Sequence, residues 1–122
     1  MADETAAAPP PDREQIALAM WDKRMRAALR PLITKKIITE HRRDPLGHHS
    51  DALNRVLNYI RRRAPWGKCV VVCTKPFKQW RVARLPGARG QVPVFIDERT
   101  YNSEAKAMHA AFLVRIEELM RD

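Results

Sequence analysis

The sequence is short of the residues from which most catalytic motifs are built. Only four of the 122 residues are glycine, and they stand as turn residues, so the chain has neither a phosphate-binding glycine loop nor a nucleophile elbow. There is no paired-carboxylate motif. The two cysteines, Cys69 and Cys73, are four positions apart on what reads as a strand. Their Cα atoms would then lie about 13 Å apart, beyond disulfide reach, so free thiols on one side of a sheet are expected. Zinc sites set such pairs in loops with a second pair at fixed spacing, and none accompanies these two. No apolar run approaches the roughly 20 residues of a membrane span, and Met1-Ala2-Asp3-Glu4 lacks the basic start and apolar core of a signal peptide, so a cytoplasmic protein is expected. Acidic residues are missing altogether between Asp51 and Asp97, while Arg and Lys recur there from Arg55 to Arg89. A net charge of +9 concentrated in this way calls for an anionic partner, an acidic protein surface or plain solvation.

What is present is a sheet followed by a helix. The β-branched run 68–73 predicts a first strand, ended at Thr74-Lys75-Pro76 because proline cannot donate to a ladder. Residues 80–85 alternate with period two and stop at Pro86-Gly87, predicting a second strand antiparallel to the first. Residues 92–96 make a third, with Pro93 suited to an edge, and Asn102-Ser103 then caps a helix running to about Met120. Ala105, Met108, Phe112, Ile116 and Leu119 fall at spacings of three and four and are expected to cover one side of the sheet.

Upstream, residues 1–11 have almost nothing to bury and read as a disordered tail, leaving 12–122 as a single small α+β domain with a helical part over 12–63 and sheet plus helix over 66–120. With Asp12 as a cap, Ile16, Met20, Trp21, Met25, Ala28, Leu29, Leu32 and Ile33 read as a continuing apolar stripe, split into two helices at Pro31, the second ending near Arg43. Asp44-Pro45-Leu46-Gly47 is a turn, and Ser50-Asp51 caps a helix to about Arg63 with Leu53, Val56, Leu57 and Ile60 on its apolar side. The fold class is therefore α+β: N-terminal helices, then a three-stranded antiparallel sheet covered by a C-terminal helix.

His48-His49, His41 and His109 read as loop and helix-surface histidines, because adjacent side chains diverge and no carboxylate stands at motif spacing. No catalytic, cofactor-binding or metal-ligating residue is expected in this chain. Trp66 and Trp80, interleaved with Arg81 and Arg84, suit a small core or a protein interface first and a nucleic-acid surface second.

From Asp44 onward the sequence resembles the small subunit of N,N-dimethylformamidase. The resemblance rests on Asp44-Pro45-Leu46-Gly47-His48-His49, on Leu53 with Val56-Leu57-Asn58-Tyr59 and Arg61, on Gly67-Lys68, on Trp80-Arg81-Val82-Ala83, and on the run from Ser103 through His109-Ala110 to Glu117. It implies an accessory subunit of a hetero-oligomeric amidohydrolase that cleaves N,N-dimethylformamide to dimethylamine and formate. Iron and the hydrolytic residues are expected in the large catalytic subunit, which is the expected partner. Candidate contacts with that partner are Trp21, Tyr59, Trp66, Trp80, Arg81 and Arg84. Three strands and a helix with Trp-Arg-x-Ala in the second strand also look like the DNA-binding domain of AP2-type transcription factors, which makes a basic DNA-reading sheet the alternative.

Overall fold

The structure is a computed structural model, and it describes residues 12–62, 69–85 and 92–121. The tail expected over 1–11, the helix end expected near Arg63 and the strand stop expected at Pro86-Gly87 lie outside the described residues.

The fold is α+β. Helix α1 spans Arg13–Leu29, a short 3-10 turn spans Arg30–Leu32, and α2 (Lys35–Arg43) and α3 (Asp51–Arg62) follow. Strands β1 (Cys69–Lys75), β2 (Gln79–Arg84) and β3 (Val94–Phe95) form an antiparallel sheet in the order β1-β2-β3, and α4 (Glu104–Arg121) closes the chain.

Each helix start carries the side chain that sequence reasoning looks for. Asp12 Oδ1 accepts from the Gln15 backbone N–H at 2.8 Å while Gln15 Oε1 accepts from the Asp12 N–H at 3.2 Å, a reciprocal cap. Thr34, Ser50 and Ser103 accept from the N–H three residues on, at 3.5, 3.3 and 3.2 Å. Pro31 sits in the 3-10 turn, so the expected division into two helices occurs there. Gly47 lets its turn close: a Cβ at that position would lie 1.9 Å from Asp44 Oδ2, so the aspartate occupies the space that any other residue would need.

The strands differ from expectation at their ends. β1 runs on to Lys75 because the register shifts between Cys73 and Lys75, which leaves Thr74 as an extra residue whose Oγ1 accepts from Gln79 Nε2 at 2.9 Å. Phe77, at the hairpin tip, has φ of 59° and is 92% exposed. The third strand is shorter than 92–96, because the ladder begins only after Pro93, which has no N–H to give. Beyond it Ile96 N–H donates to Val82 O at 3.2 Å, and Trp80 and Tyr101 exchange two backbone bonds of 2.8 Å, so β2 is paired along both edges.

Helix α4 divides the molecule into two layers. Phe112, Ile116 and Leu119 join Leu29, Ile37, Leu53, Val56, Leu57 and Tyr59 in one apolar cluster, the core of the helical layer. Ala107 and Ala111 lie on an adjoining face of α4, where their small side chains let β1 and β2 approach, and Val82, on the same side of β2 as Arg84, is buried there. This corrects one expectation. Of the expected face Ala105, Met108, Phe112, Ile116 and Leu119, the residues Phe112, Ile116 and Leu119 serve the helical core; the sheet is covered by the neighbouring face of Ala107, Ala111 and Glu118.

Candidate partner interface

The expected partner contacts separate into two regions, with Trp66 outside the described residues. Trp21 and Tyr59, 38 positions apart in sequence, line the same groove between α1 and α3, about 260 Å3 in volume, with Met25 and Leu32 in its floor and Arg55 and Arg62 at its rim. Tyr59 ties the two walls together. Its ring is buried, its hydroxyl donates to Asp22 and accepts from Arg26 Nε at 3.1 Å, and Arg26 Nε reaches Asp22 Oδ2 at 3.2 Å. Burial, and then the bond to Asp22, hold the phenol above its ordinary pKa. Neither the groove nor this junction follows from the apolar stripe; Asp22 and Arg26 at i, i+4 on a helix are the sequence signal that points to the junction.

The stripe expected along α1 is real only in its second half. Leu29 is buried and Met25 packs on the core, but Ile16, Leu18, Met20 and Trp21 are all exposed. The signal that corrects the reading is Leu18, left out of the stripe: residues 16–21 are Ile-Ala-Leu-Ala-Met-Trp, a continuous apolar run with no side of its own.

Trp80, Arg81 and Arg84 sit on the sheet, and the two arginines, three residues apart on a strand, point to opposite faces. Arg84 turns to α4, where Nη2 bonds Glu118 Oε1 at 2.9 Å; this bond raises its pKa. Arg81 lies with Cζ 3.8 Å above the Phe95 ring and donates from Nη2 to the Asp97 carbonyl at 2.5 Å, and its Nε is buried without a hydrogen-bond partner among the described residues. The pair therefore does not present one basic face. The acid-free stretch is likewise divided: Arg55 and Arg62 belong to α3, Lys75 and Lys78 to the hairpin.

His48 is exposed in the loop before α3, as expected, but the other three histidines come together. His41 is 3% exposed, its ring stacks on Phe112 with centroids 4.0 Å apart, and its Nδ1 lies 2.9 Å from Nδ1 of His109, so one ring donates and the other accepts. His49 stacks on the same ring at 5.9 Å and its Nε2 meets the Asp44 carbonyl at 2.8 Å. Desolvation, reinforced by His109, His49 and Arg61, lowers His41 to about 4, and burial and Arg42 lower His109. No local signal joins residues 41, 49 and 109; the tertiary fold does. Glu40, beside them, accepts from the Ser50 backbone at 2.5 Å and from its hydroxyl at 2.7 Å, which lowers its pKa. With that carboxylate engaged, no group of three or more His, Cys, Asp or Glu among the described residues is arranged to hold a metal ion. Cys69, whose thiol is pushed up by burial, and the exposed Cys73 are both unbonded to another sulfur. No helix among the described residues is long and apolar enough to cross a membrane.

Comparison with known proteins places this arrangement. The family model described as N,N-dimethylformamidase alpha subunit matches residues 16–122. The N,N-dimethylformamidase alpha subunit of Paracoccus aminophilus is 33% identical over 117 residues, covering 92% of this chain and 82% of its own length. That of an Alcaligenes species is 34% identical over 113 residues, covering 88% and 84%. A match of this extent takes in all four helices and the sheet, and by it the chain belongs to the N,N-dimethylformamidase alpha subunit family.

Proposed function

We propose that the chain is the accessory subunit of a hetero-oligomeric, cytoplasmic amide hydrolase that converts N,N-dimethylformamide and water to dimethylamine and formate, with the catalytic groups and iron held by a larger partner subunit. The observation that carries this reading is the match to alpha subunits over nearly the whole chain, since the word alpha names one subunit among others. The site chemistry is in keeping with it. The imidazoles of His41 and His109 face each other at hydrogen-bond distance and the nearby carboxylate of Glu40 is taken by Ser50, so these groups are engaged with one another and not gathered around a common centre. Exposed apolar residues on α1 supply the kind of surface an assembled subunit needs.

The experiment is reconstitution. This chain and the large subunit of the host's own N,N-dimethylformamidase-like enzyme are purified separately and together, with dimethylamine release and bound iron measured for each. The expected result is activity and iron in the complex, iron in the large subunit, and neither in this chain alone. Hydrolysis by this chain alone, or stoichiometric iron retained by it, would overturn the proposal.

A further inference from the structure

The first half of α1 has apolar surface that stays exposed among the described residues. At about 100° per residue Ile16 and Met20 share one face of the helix, Leu18 lies opposite and Trp21 between, so residues 16–21 have no polar side. All four are 48 to 59% exposed. A helical segment that is apolar all round belongs inside something. Among the described residues, the hydrogen bonds and core contacts that hold α1 to the rest begin at Asp22 and Met25, through Tyr59 and the helical core.

The surrounding charge identifies what encloses it. Arg13, Lys23 and Arg24 flank the segment and Arg55 and Arg62 stand across the groove, all exposed; Asp12 and Glu14 are the exposed carboxylates beside it and Asp51 holds Arg55 at 3.1 Å, so basic groups outnumber acidic ones around the contact. A second copy would bring the same excess of basic groups to the contact, and like charges facing across an interface oppose association. We infer that residues 16–21 insert into an apolar groove of the large subunit whose rim carries carboxylates, and that the groove between Trp21 and Tyr59 receives an apolar side chain of the same partner. The inference rests on the accessory-subunit reading and adds the place where the two chains grip.

The test titrates the full chain into the separately purified large subunit of the host's own enzyme, at roughly 50 and 500 mM salt, where screening differs several-fold. Ile16→Ser with Met20→Ser changes one face of the segment and Leu18→Ser the opposite face; these side chains lie outside the core, and an unchanged melting temperature checks that each variant is folded. Each variant is expected to weaken binding at least about tenfold, as loss of an interface anchor does, and the wild-type affinity is expected to fall as salt rises. Loss in only one variant would overturn enclosure, because a helix lying on a flat surface uses one face. Full affinity in both variants would overturn the docking site and leave the subunit reading standing, whereas a wild-type chain that does not bind the large subunit would overturn both. Affinity indifferent to salt would overturn the carboxylate rim. Sedimentation of the chain alone supplies the last arm: a dimer broken by the same substitutions would make a second copy the occupant and overturn the partner named here.

Discussion

Helices α1 and α4 are nearly equal in length, 17 and 18 residues, yet α1 buries Leu29 alone while α4 buries Ala107, Ala111, Phe112, Arg115, Ile116 and Leu119. Apolar content does not explain the difference, since α1 contains Ile16, Leu18, Met20, Trp21 and Met25. Spacing does. In α4 the large residues recur at three and four and the small ones do the same one step around the helix, so one side receives the helical core and the other admits the sheet. In α1 the apolar residues from 16 to 21 are consecutive, so no orientation on a single body can bury them all. A helix patterned for its own chain thus stands beside one whose first half is patterned for another.

The comparison is most severely tested in the centre of α4. Phe112→Ala removes a ring that stacks on His41 and closes the helical core, and a loss of about 3–5 kcal/mol in chemical unfolding is expected. A melting temperature left unchanged would mean that α4 is not the wall between two layers.

Acid should act on the same side of α4 and spare α1. The unfolded chain's histidine takes up its proton near 6.5, whereas native His41 resists protonation until about 4. Its neutral state therefore stabilises the fold fully above 6.5, and that contribution is lost progressively as the pH falls toward 4. At pH 5 the chain is expected to be about 1–2 kcal/mol less stable than at pH 7.5, and His41→Phe to flatten the dependence in denaturant titrations at the two pH values. An equal slope in wild type and variant would move the titrating group elsewhere.

At the root of α1, Tyr59→Phe leaves the ring in place but removes the bonds to Asp22 and Arg26, for an expected cost of about 1 kcal/mol, with faster amide exchange in α1 than in α4 as the distinguishing readout. Uniform exchange in both helices would show that α1 is held by something other than this junction. The smallest effect belongs to the exposed segment. Ile16→Ser with Met20→Ser should shift the stability of the isolated chain by no more than about 0.5 kcal/mol, and a larger loss would mean that the segment is buried by its own chain.

Much of this architecture was legible from local features. Asp12, Ser50 and Ser103 mark helix starts because their side chains satisfy backbone N–H groups within three residues, and Pro31 and Pro93 interrupt pairing because they have no N–H. The stripe of Leu53, Val56 and Leu57 is buried as its spacing implies. Errors came where a correct pattern had to be given a direction. Spacing identifies an apolar face on α4 but not that it meets the helical core, and the alternative of a DNA-reading sheet sets Arg81 and Arg84 together although strand alternation sends them apart.

The sequence by itself determined the kinds of elements, their order, their caps and the family resemblance, because each of these depends on neighbours within a few positions or on residues read in order. Only the tertiary structure decided that His41 meets His109, that Tyr59 meets Asp22 and Arg26, and that Arg84 meets Glu118, pairs separated by 68, 37, 33 and 34 positions. Such contacts are set by how the faces of α1, α2, α3, α4 and β2 pack against one another, and no single stretch of chain carries the information about which distant face it will meet.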